Sequence, residues 1–142
     1  MKTIVCSACL LGYTCRYDGA MKSDPKILAL CGDESVRLVP VCPEVRGGLG
    51  IPREPAELQS DGRVLTRSGK DVTEAFQRGA QNALDAAKCM RATEAILKQR
   101  SPSCGCGQIY DGSFSGTVIP GDGITTALLK QNGISVRSNE EL

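Results

Sequence analysis

Segments with the apolar pattern of buried β-strands alternate along this chain with segments that have the pattern of helices. The strand-like segments are "KTIVCSAC" (2–9), "VRLVPVC" (36–42), "EAILK" (94–98) and "ISVRS" (134–138). The helical segments are "DPKILALC" (24–31), "DVTEAFQRGAQNALDAAKC" (71–89) and "GITTALLKQNG" (123–133). This alternation predicts an α/β structure with a largely parallel sheet and right-handed crossovers. The chain shows no internal repeat and no dividing linker, so we expect residues 1–142 to form a single domain.

Local signals add detail to this pattern. Asp24 is placed to cap the first helix and Pro25 to open it, while Pro40 predicts a sheet position where no N–H is needed. Residues 43–62 read as a long functional loop, because loops of this length are otherwise uncommon. We expect "RVLTR" to be a short strand or hairpin arm and "GSFSGTVIP" to be a Gly/Ser-rich excursion.

Composition excludes several classes of function. The chain has no histidine, which removes Ser-His-Asp and Cys-His catalysis and every zinc site that uses imidazole. Its net charge of +1 and its 4% of aromatic residues argue against nucleic acid as a partner. No apolar run is long enough for a membrane span and the start does not resemble a signal peptide, so we expect a cytoplasmic protein. Eight cysteines in a reducing compartment favour metal binding or catalysis over disulfides.

Three cysteines follow three of the predicted strands. Cys9 and Cys42 lie at the ends of the first two, and Cys104 lies just past the third, in "RSPSCGCG". Loops after parallel strands share one edge of a sheet, where ligands bind, so we expect these thiols to converge. Three thiols without histidine suit an iron–sulfur cluster with one iron left open for a soft atom such as sulfur.

Other interpretations of the cysteines stay open at this point. The same three thiols are also compatible with zinc or with a structural role without metal. Cys15, in the first loop, is the main rival ligand, and Cys106 forms a C-x-C with Cys104 although its side chain is expected to point away. The remaining cysteines are predicted to be plain core, since free cysteine behaves as a small hydrophobe. They are Cys6, Cys31 and Cys89.

Polar residues near these cysteines are candidates for chemistry. Glu44 stands two residues beyond Cys42, where a carboxylate can transfer protons, although a solvated loop glutamate is the plainer interpretation. Ser101 and Ser103 flank the third cysteine and can orient water or a substrate carbonyl, or serve only the turn. Charged pairs are expected to form a buried ion-pair network that braces these loops, with contact to a substrate as the alternative. These pairs are Arg16 with Asp18, and Arg53 with Glu57.

Five motifs in order resemble one bacterial family, the thiouracil desulfidases, formerly a domain of unknown function. They are "SACLLG…CRYDG", "PVCPE" with "GGLGIPREPAE", "GKDVTEAFQRGA", "AILKQRSPSCG" and "IYDGSFSG". The resemblance runs from about residue 4 to residue 134. It implies a Rossmann-like α/β domain that holds a [4Fe–4S] cluster.

The resemblance also implies an activity and a set of site residues. The activity is non-redox removal of sulfur from 2-thiouracil or a similar small thio-base, giving uracil and hydrogen sulfide, with an open iron that binds the substrate sulfur. Cys9, Cys42 and Cys104 would hold the cluster. Glu44 and a serine would be catalytic, with Ser101 the first choice and Ser103 the second. The alternatives without catalysis are a cluster carrier and a zinc-stabilised binding module.

Overall fold

A computed structural model describes residues 1–142 and contains four helices and eight strands. In chain order these are β1 (Lys2–Ser7), α1 (Pro25–Leu30), β2 (Val36–Val41), α2 (Pro43–Arg46), β3 (Ala56–Leu58), β4 (Val64–Thr66), α3 (Thr73–Cys89), β5 (Glu94–Leu97), β6 (Gln108–Tyr110), β7 (Val118–Pro120), α4 (Ile124–Gln131) and β8 (Ser135–Ser138). No helix has both the length and the apolar character needed to cross a membrane.

The main sheet has four strands in the order β2–β1–β5–β8, and every pairing in it is parallel. The chain moves outward from β1 to β2 on one side and later fills the other side with β5 and β8. Pro40 lies in β2, an edge strand, where its missing N–H leaves no interior ladder incomplete. The predicted α/β fold with a mainly parallel sheet is confirmed.

Helices cover both faces of this sheet because side chains alternate along each strand. Ile4 and Cys6 of β1 point to one face, where they pack with Ile27 of α1. Val5 points to the opposite face, which α3 and α4 cover through a larger cluster that includes Leu84 and Leu129. The two faces bury nearly all the apolar side chains of β1 and β5, and this fixes the strand ends that carry the loops.

The local signals of the sequence are confirmed at α1. The Asp24 carboxylate accepts a hydrogen bond from the Lys26 N–H at 2.9 Å, and Pro25 is the first helical residue. The segment 43–62 differs from the single long loop that we expected, because it contains α2 and β3. β3 pairs antiparallel with β4, so "RVLTR" is a hairpin arm, and β6 pairs with β7 in a second hairpin.

Two of the cysteines expected in the core are exposed instead. Cys31 follows the last turn of α1 and Cys89 ends α3, and both lie on the solvent side of a helix terminus. The apolar neighbours that suggested burial lie on the inner face of each helix. Cys31 and Cys89 do not lie on that face. Cys6 is fully buried, as predicted.

Candidate active site

A cavity of about 480 Å³ opens at the carboxyl edge of the main sheet. Ser7 and Val41, the last residues of β1 and β2, contribute to its floor, and Lys98 enters it directly after β5. Its volume lies within the range of small-molecule sites. The loops that follow the three strands supply most of the remaining wall.

The three cysteines chosen from the sequence all line this cavity. Cys9 lies in a single 3-10 turn, Ala8–Leu11, that continues from β1 and ends at Gly12. Cys42 lies directly after β2 and Cys104 in the turn after β5. The convergence expected from parallel topology is therefore present in the structure.

The turn that carries Cys104 is held from two sides. The Ser101 hydroxyl oxygen accepts hydrogen bonds from the N–H groups of Ser103 and Cys104, both at 3.1 Å. The Thr125 N–H, in the first turn of α4, donates to the Ser103 carbonyl at 2.8 Å. Thr126 donates its hydroxyl to the Cys104 carbonyl at 3.0 Å. The start of α4 thus anchors the third cysteine.

Cys42 is the N-cap residue of α2, and Glu44 lies in the first turn of that helix. Glycines allow α2 to pack directly against α3. A Cβ added at Gly79 would stand 1.9 Å from the Pro43 carbonyl oxygen, and one at Gly47 would stand 1.9 Å from the Ala75 oxygen. This backbone contact sets where both functional residues of α2 lie.

Burial and mutual contact set the protonation of these thiols. Desolvation raises the pKa of Cys9, and it raises the pKa of Cys104 to about 12. The pKa of Cys42 is lowered to about 7, first by a hydrogen bond from the Cys15 thiol and then by the Val45 N–H. Of the three thiols, Cys42 is the one whose pKa is lowered.

The two rival cysteines differ in their access to the cavity. Cys15 lines it, and its carbonyl lies 3.7 Å from the Cys42 sulfur. The hydrogen bond to Cys42, together with burial, raises the pKa of the Cys15 thiol. Cys106 does not line the cavity and directs its thiol to the Val136 carbonyl at 3.5 Å. Cys15 therefore stays a rival ligand beside Cys42, while the Cys106 thiol points away from the cavity, as expected.

Glu44 reaches the cavity as half of a charged pair. The Arg53 guanidinium donates to Glu44 Oε2 at 2.9 Å, and the same nitrogen donates to the Cys15 carbonyl at 3.0 Å. The Arg53 side chain is only 9% exposed. Glu44 Oε1 has no hydrogen-bond partner among the protein groups. One carboxylate oxygen is thus fixed, and the other remains available.

The expected charged braces are half right. Arg16 and Asp18 form an ion pair at 3.2 Å, but it is exposed and not buried as expected. Arg53 pairs with Glu44 instead of Glu57, because residues 50–53 fold back against the loop that holds Cys15. The Glu57 carboxylate accepts hydrogen bonds from the backbone of the loop between β6 and β7.

The two candidate serines occupy different environments. Ser101 lines the cavity. Ser103 is 0% exposed and shares a hydrogen bond of 2.7 Å with the Thr125 hydroxyl. The structure therefore brings Ser101 to the other candidate residues and keeps Ser103 inside the turn.

The cavity lining carries more positive than negative charge. Its two carboxylates are Glu44 and Glu57. Its five cations are Arg16, Lys22, Arg67, Lys98 and Arg100. Lys98 is half-buried and has no ion-pair partner, and desolvation lowers its pKa. Such a lining favours an occupant with negative charge.

The donor set of the cavity suits a cluster better than a single metal ion. No three Cys, Asp or Glu side chains lie close enough together to hold one ion. A four-iron cluster is larger than one ion, and its ligands stand correspondingly farther apart. Cysteines from separate loops, around one cavity and without imidazole, are the donors that an iron–sulfur cluster takes.

Comparison with known proteins agrees with this geometry. The family model for 2-thiouracil desulfurase matches residues 4–141. The chain belongs to this family. YbbK of Bacillus subtilis (strain 168), described as an uncharacterized protein, is 45% identical over 148 residues, which cover 98% of this chain and 97% of YbbK.

A solved structure related to this family resembles the chain along its whole length. It is the [4Fe-4S]-dependent thiouracil desulfidase TudS, with a TM-score of 0.92 and 48% identity. The match covers 100% of this chain and 93% of TudS. The family resemblance inferred from five sequence motifs is thereby confirmed.

Sequence reasoning missed three features of the site. It paired Arg53 with the wrong carboxylate, and it singled out neither Lys98 nor Phe114, which both line the cavity. Lys98 carried a usable signal, since it directly follows a buried strand at the edge where ligands bind. Phe114 offered only its rarity, as one of five aromatic residues in the chain.

Proposed function

We propose that this chain, acting as one domain over residues 1–142, removes sulfur from a thiolated pyrimidine base such as 2-thiouracil. The reaction is hydrolytic: the base and water give uracil and hydrogen sulfide, and no electron is transferred. The observation that carries the proposal is the convergence of Cys9, Cys42 and Cys104 on a cavity that Glu44 and Ser101 also line. The family membership and the similarity to the thiouracil desulfidase TudS support it.

Cys9, Cys42 and Cys104 would hold a [4Fe–4S] cluster as thiolates. When bound by three cysteines, the cluster supplies a Lewis-acidic iron without a protein ligand, which has affinity for the exocyclic sulfur of the base. The lowered pKa of Cys42 favours the thiolate form that ligation requires. The positively charged lining of the cavity compensates the negative charge that three thiolates bring.

Glu44 is the proposed general base. Arg53 holds Oε2, so Oε1 is the oxygen that takes a proton from water. The water oxygen then bonds to the ring carbon that carries sulfur. As the carbon–sulfur bond breaks, Glu44 returns its proton to the departing sulfur. The added hydroxyl loses its own proton to the sulfur as the new carbonyl forms, so sulfur leaves as hydrogen sulfide. The carboxylate is regenerated, and atoms and charge balance.

Ser101 is the proposed hydrogen-bond donor to the base. Its oxygen already accepts from two backbone N–H groups, so its hydroxyl hydrogen is the part left for a ligand. Donation to a ring carbonyl would orient the base, and it would strengthen as negative charge develops on the ring. Ser103 supports this turn from inside.

Anaerobic reconstitution with iron and sulfide tests the proposal. We expect a brown protein, from iron–thiolate absorption, that converts 2-thiouracil to uracil and sulfide. Replacing Cys9, Cys42 or Cys104 by serine should remove the colour, whereas Cys31→Ser, at an exposed position, should not. Glu44→Gln should keep the colour and lower kcat about 10²- to 10⁴-fold.

Other outcomes would point to the alternatives. A colourless protein that retains zinc would indicate a zinc-stabilised binding module. A brown protein that leaves 2-thiouracil unchanged would indicate another substrate or a cluster carrier. Full turnover by Glu44→Gln with the cluster intact would remove Glu44 from the mechanism.

A further inference from the structure

Phe114 has a backbone conformation that its side chain disfavours. Its φ is 57°, in the left-handed region. Bulky residues rarely adopt this conformation, and such outliers concentrate at functional sites. Its neighbours with positive φ in the same loop, Gly112 and Gly116, are glycines, which adopt the region readily. The loop therefore holds an aromatic ring where glycine would fit without strain.

A buried carboxylate holds the loop in this conformation. Glu57 Oε1 accepts hydrogen bonds from the N–H of Gly112 at 3.0 Å and of Phe114 at 3.1 Å. Glu57 is 8% exposed and lies within ion-pair distance of no basic side chain. The hydrogen bonds that this carboxylate accepts therefore come from the backbone that carries the Phe114 ring.

The Phe114 ring lines the same cavity as the three cysteines. The Arg67 guanidinium lies 5.8 Å from its centroid, within the range of a cation–π contact. Three of the five aromatic residues of the chain line this cavity, and Phe114 is the one without a polar tip. It therefore offers a flat apolar ring with the Arg67 guanidinium over one face, which leaves the other face for a ligand.

We propose that Phe114 is the specificity-determining platform on which the planar ring of the thiolated base stacks, and that Glu57 positions it. The proposal rests on the function proposed above. Stacking on a flat ring acts on the substrate and on the transition state to a similar extent. Loss of the stacking contact is therefore expected to raise KM and to leave kcat nearly unchanged.

Steady-state kinetics of the reconstituted holoenzyme test the stacking. We expect Phe114→Leu to raise KM for 2-thiouracil about tenfold or more, the scale of losing a base–aromatic stack, with little effect on kcat. Phe114→Tyr, which retains a ring, should recover most of the loss. Tyr13→Leu removes an exposed aromatic side chain outside the cavity and should leave KM unchanged. An unchanged KM in Phe114→Leu would overturn the proposal.

A stability measurement separates this role from a purely structural one. Phe114→Gly removes the ring and the left-handed strain together. We expect its unfolding midpoint to equal or exceed that of the wild type, while its KM rises as in Phe114→Leu. A lower midpoint with an unchanged KM would mean that the ring only holds the loop.

Binding can be measured without turnover by using the product, uracil, as the ligand. Because the chain contains no tryptophan, an introduced indole is the only one that fluoresces. Uracil should quench the fluorescence of the indole introduced by Phe114→Trp, and should not affect the indole introduced by Tyr13→Trp. If the wild type failed to convert 2-thiouracil, the proposed function would fail, and this titration would still decide the stacking. Equal responses of the two variants to uracil would overturn it.

Discussion

The guanidinium of Arg53 joins three parts of the site at the scale of single side chains. It donates to Glu44 Oε2, to the Cys15 carbonyl at 3.0 Å and to the Gly50 carbonyl at 3.1 Å. Arg53 therefore decides which carboxylate oxygen faces the cavity. Its partners are only partly exposed, so the pair is less screened than a surface salt bridge.

This arrangement predicts a non-additive effect on catalysis. Arg53→Met should lower kcat by tenfold to a hundredfold, roughly the effect of misplacing a catalytic group by about 1 Å. In a Glu44→Gln background the same change should add little, because the group that it positions is already inactive. The measurement is a double-mutant cycle on kcat with cluster content held equal.

A conservative variant and a control variant extend this double-mutant cycle. Arg53→Lys should recover part of the loss, since an ammonium keeps the charge but lacks the planar fork. Arg63→Met breaks an exposed ion pair with Asp61 and should not affect kcat. Fully additive losses in the cycle would mean that Arg53 acts through the loop at Cys15 and not through Glu44.

At the scale of elements, the contact between α2 and α3 places two functional residues at once. Cys42 caps α2 and Glu44 lies in its first turn, so both move with this helix. The Arg78 guanidinium donates to the Gly47 carbonyl at 3.0 Å and ties α3 to the end of α2. The absence of a side chain at Gly79 brings the two backbones together.

Gly79→Ala is predicted to destabilise the protein although alanine favours helix. The propensity gain is about 0.5–1 kcal/mol. The new Cβ would stand 1.9 Å from the Pro43 oxygen, and overpacking of this kind costs roughly 1–3 kcal/mol or more. Urea unfolding should show a net loss of stability, and the displacement of α2 should lower cluster content.

Gly32→Ala is the matched control for this substitution. A Cβ at Gly32 would meet its nearest neighbour, the Ala29 oxygen, at 3.7 Å, which is ordinary van der Waals contact. We expect no loss of stability there. A stable Gly79→Ala protein with a full cluster would show that α2 is not positioned by this contact.

At the scale of the whole molecule, the proposed ligands belong to loops far apart in the chain. Cys9, Cys42 and Cys104 follow β1, β2 and β5, which lie side by side in the sheet in the order β2–β1–β5. A cofactor bound by all three would link these loops, and a group that binds the native state alone stabilises it. Cys104 is buried in the main core cluster, and this extends the effect to the sheet.

Removal of the cluster is therefore expected to lower the thermal midpoint of the wild type. Each 1 kcal/mol lost from the free energy of unfolding lowers Tm by about 2–8 °C. Loss of a cofactor that is bound only by the native state should therefore lower Tm by about 5 °C or more. The measurement is anaerobic calorimetry before and after oxidation with a chelator. Equal midpoints in the two forms would contradict ligation by all three loops.

The sequence by itself determined the fold class and the sheet edge at which the candidate site lies. Strands of period two alternate with helices, and parallel crossovers bring the carboxyl ends of successive strands to one edge. Cys9, Cys42 and Cys104 follow three such strands, so their place at that edge is readable from the chain alone. The Asp24 cap before Pro25 can also be predicted from the sequence, because it depends only on adjacent residues.

The tertiary structure alone decided which distant groups meet. Arg53 lies nine residues after Glu44 and four before Glu57, and nothing in the local pattern selects one of them. Cys31 is exposed because its helix ends there, and the strained backbone of Phe114 exists because Glu57, far away in the chain, binds its N–H. Spacing and periodicity describe neighbours along the chain, whereas these contacts depend on how separate loops pack against one another.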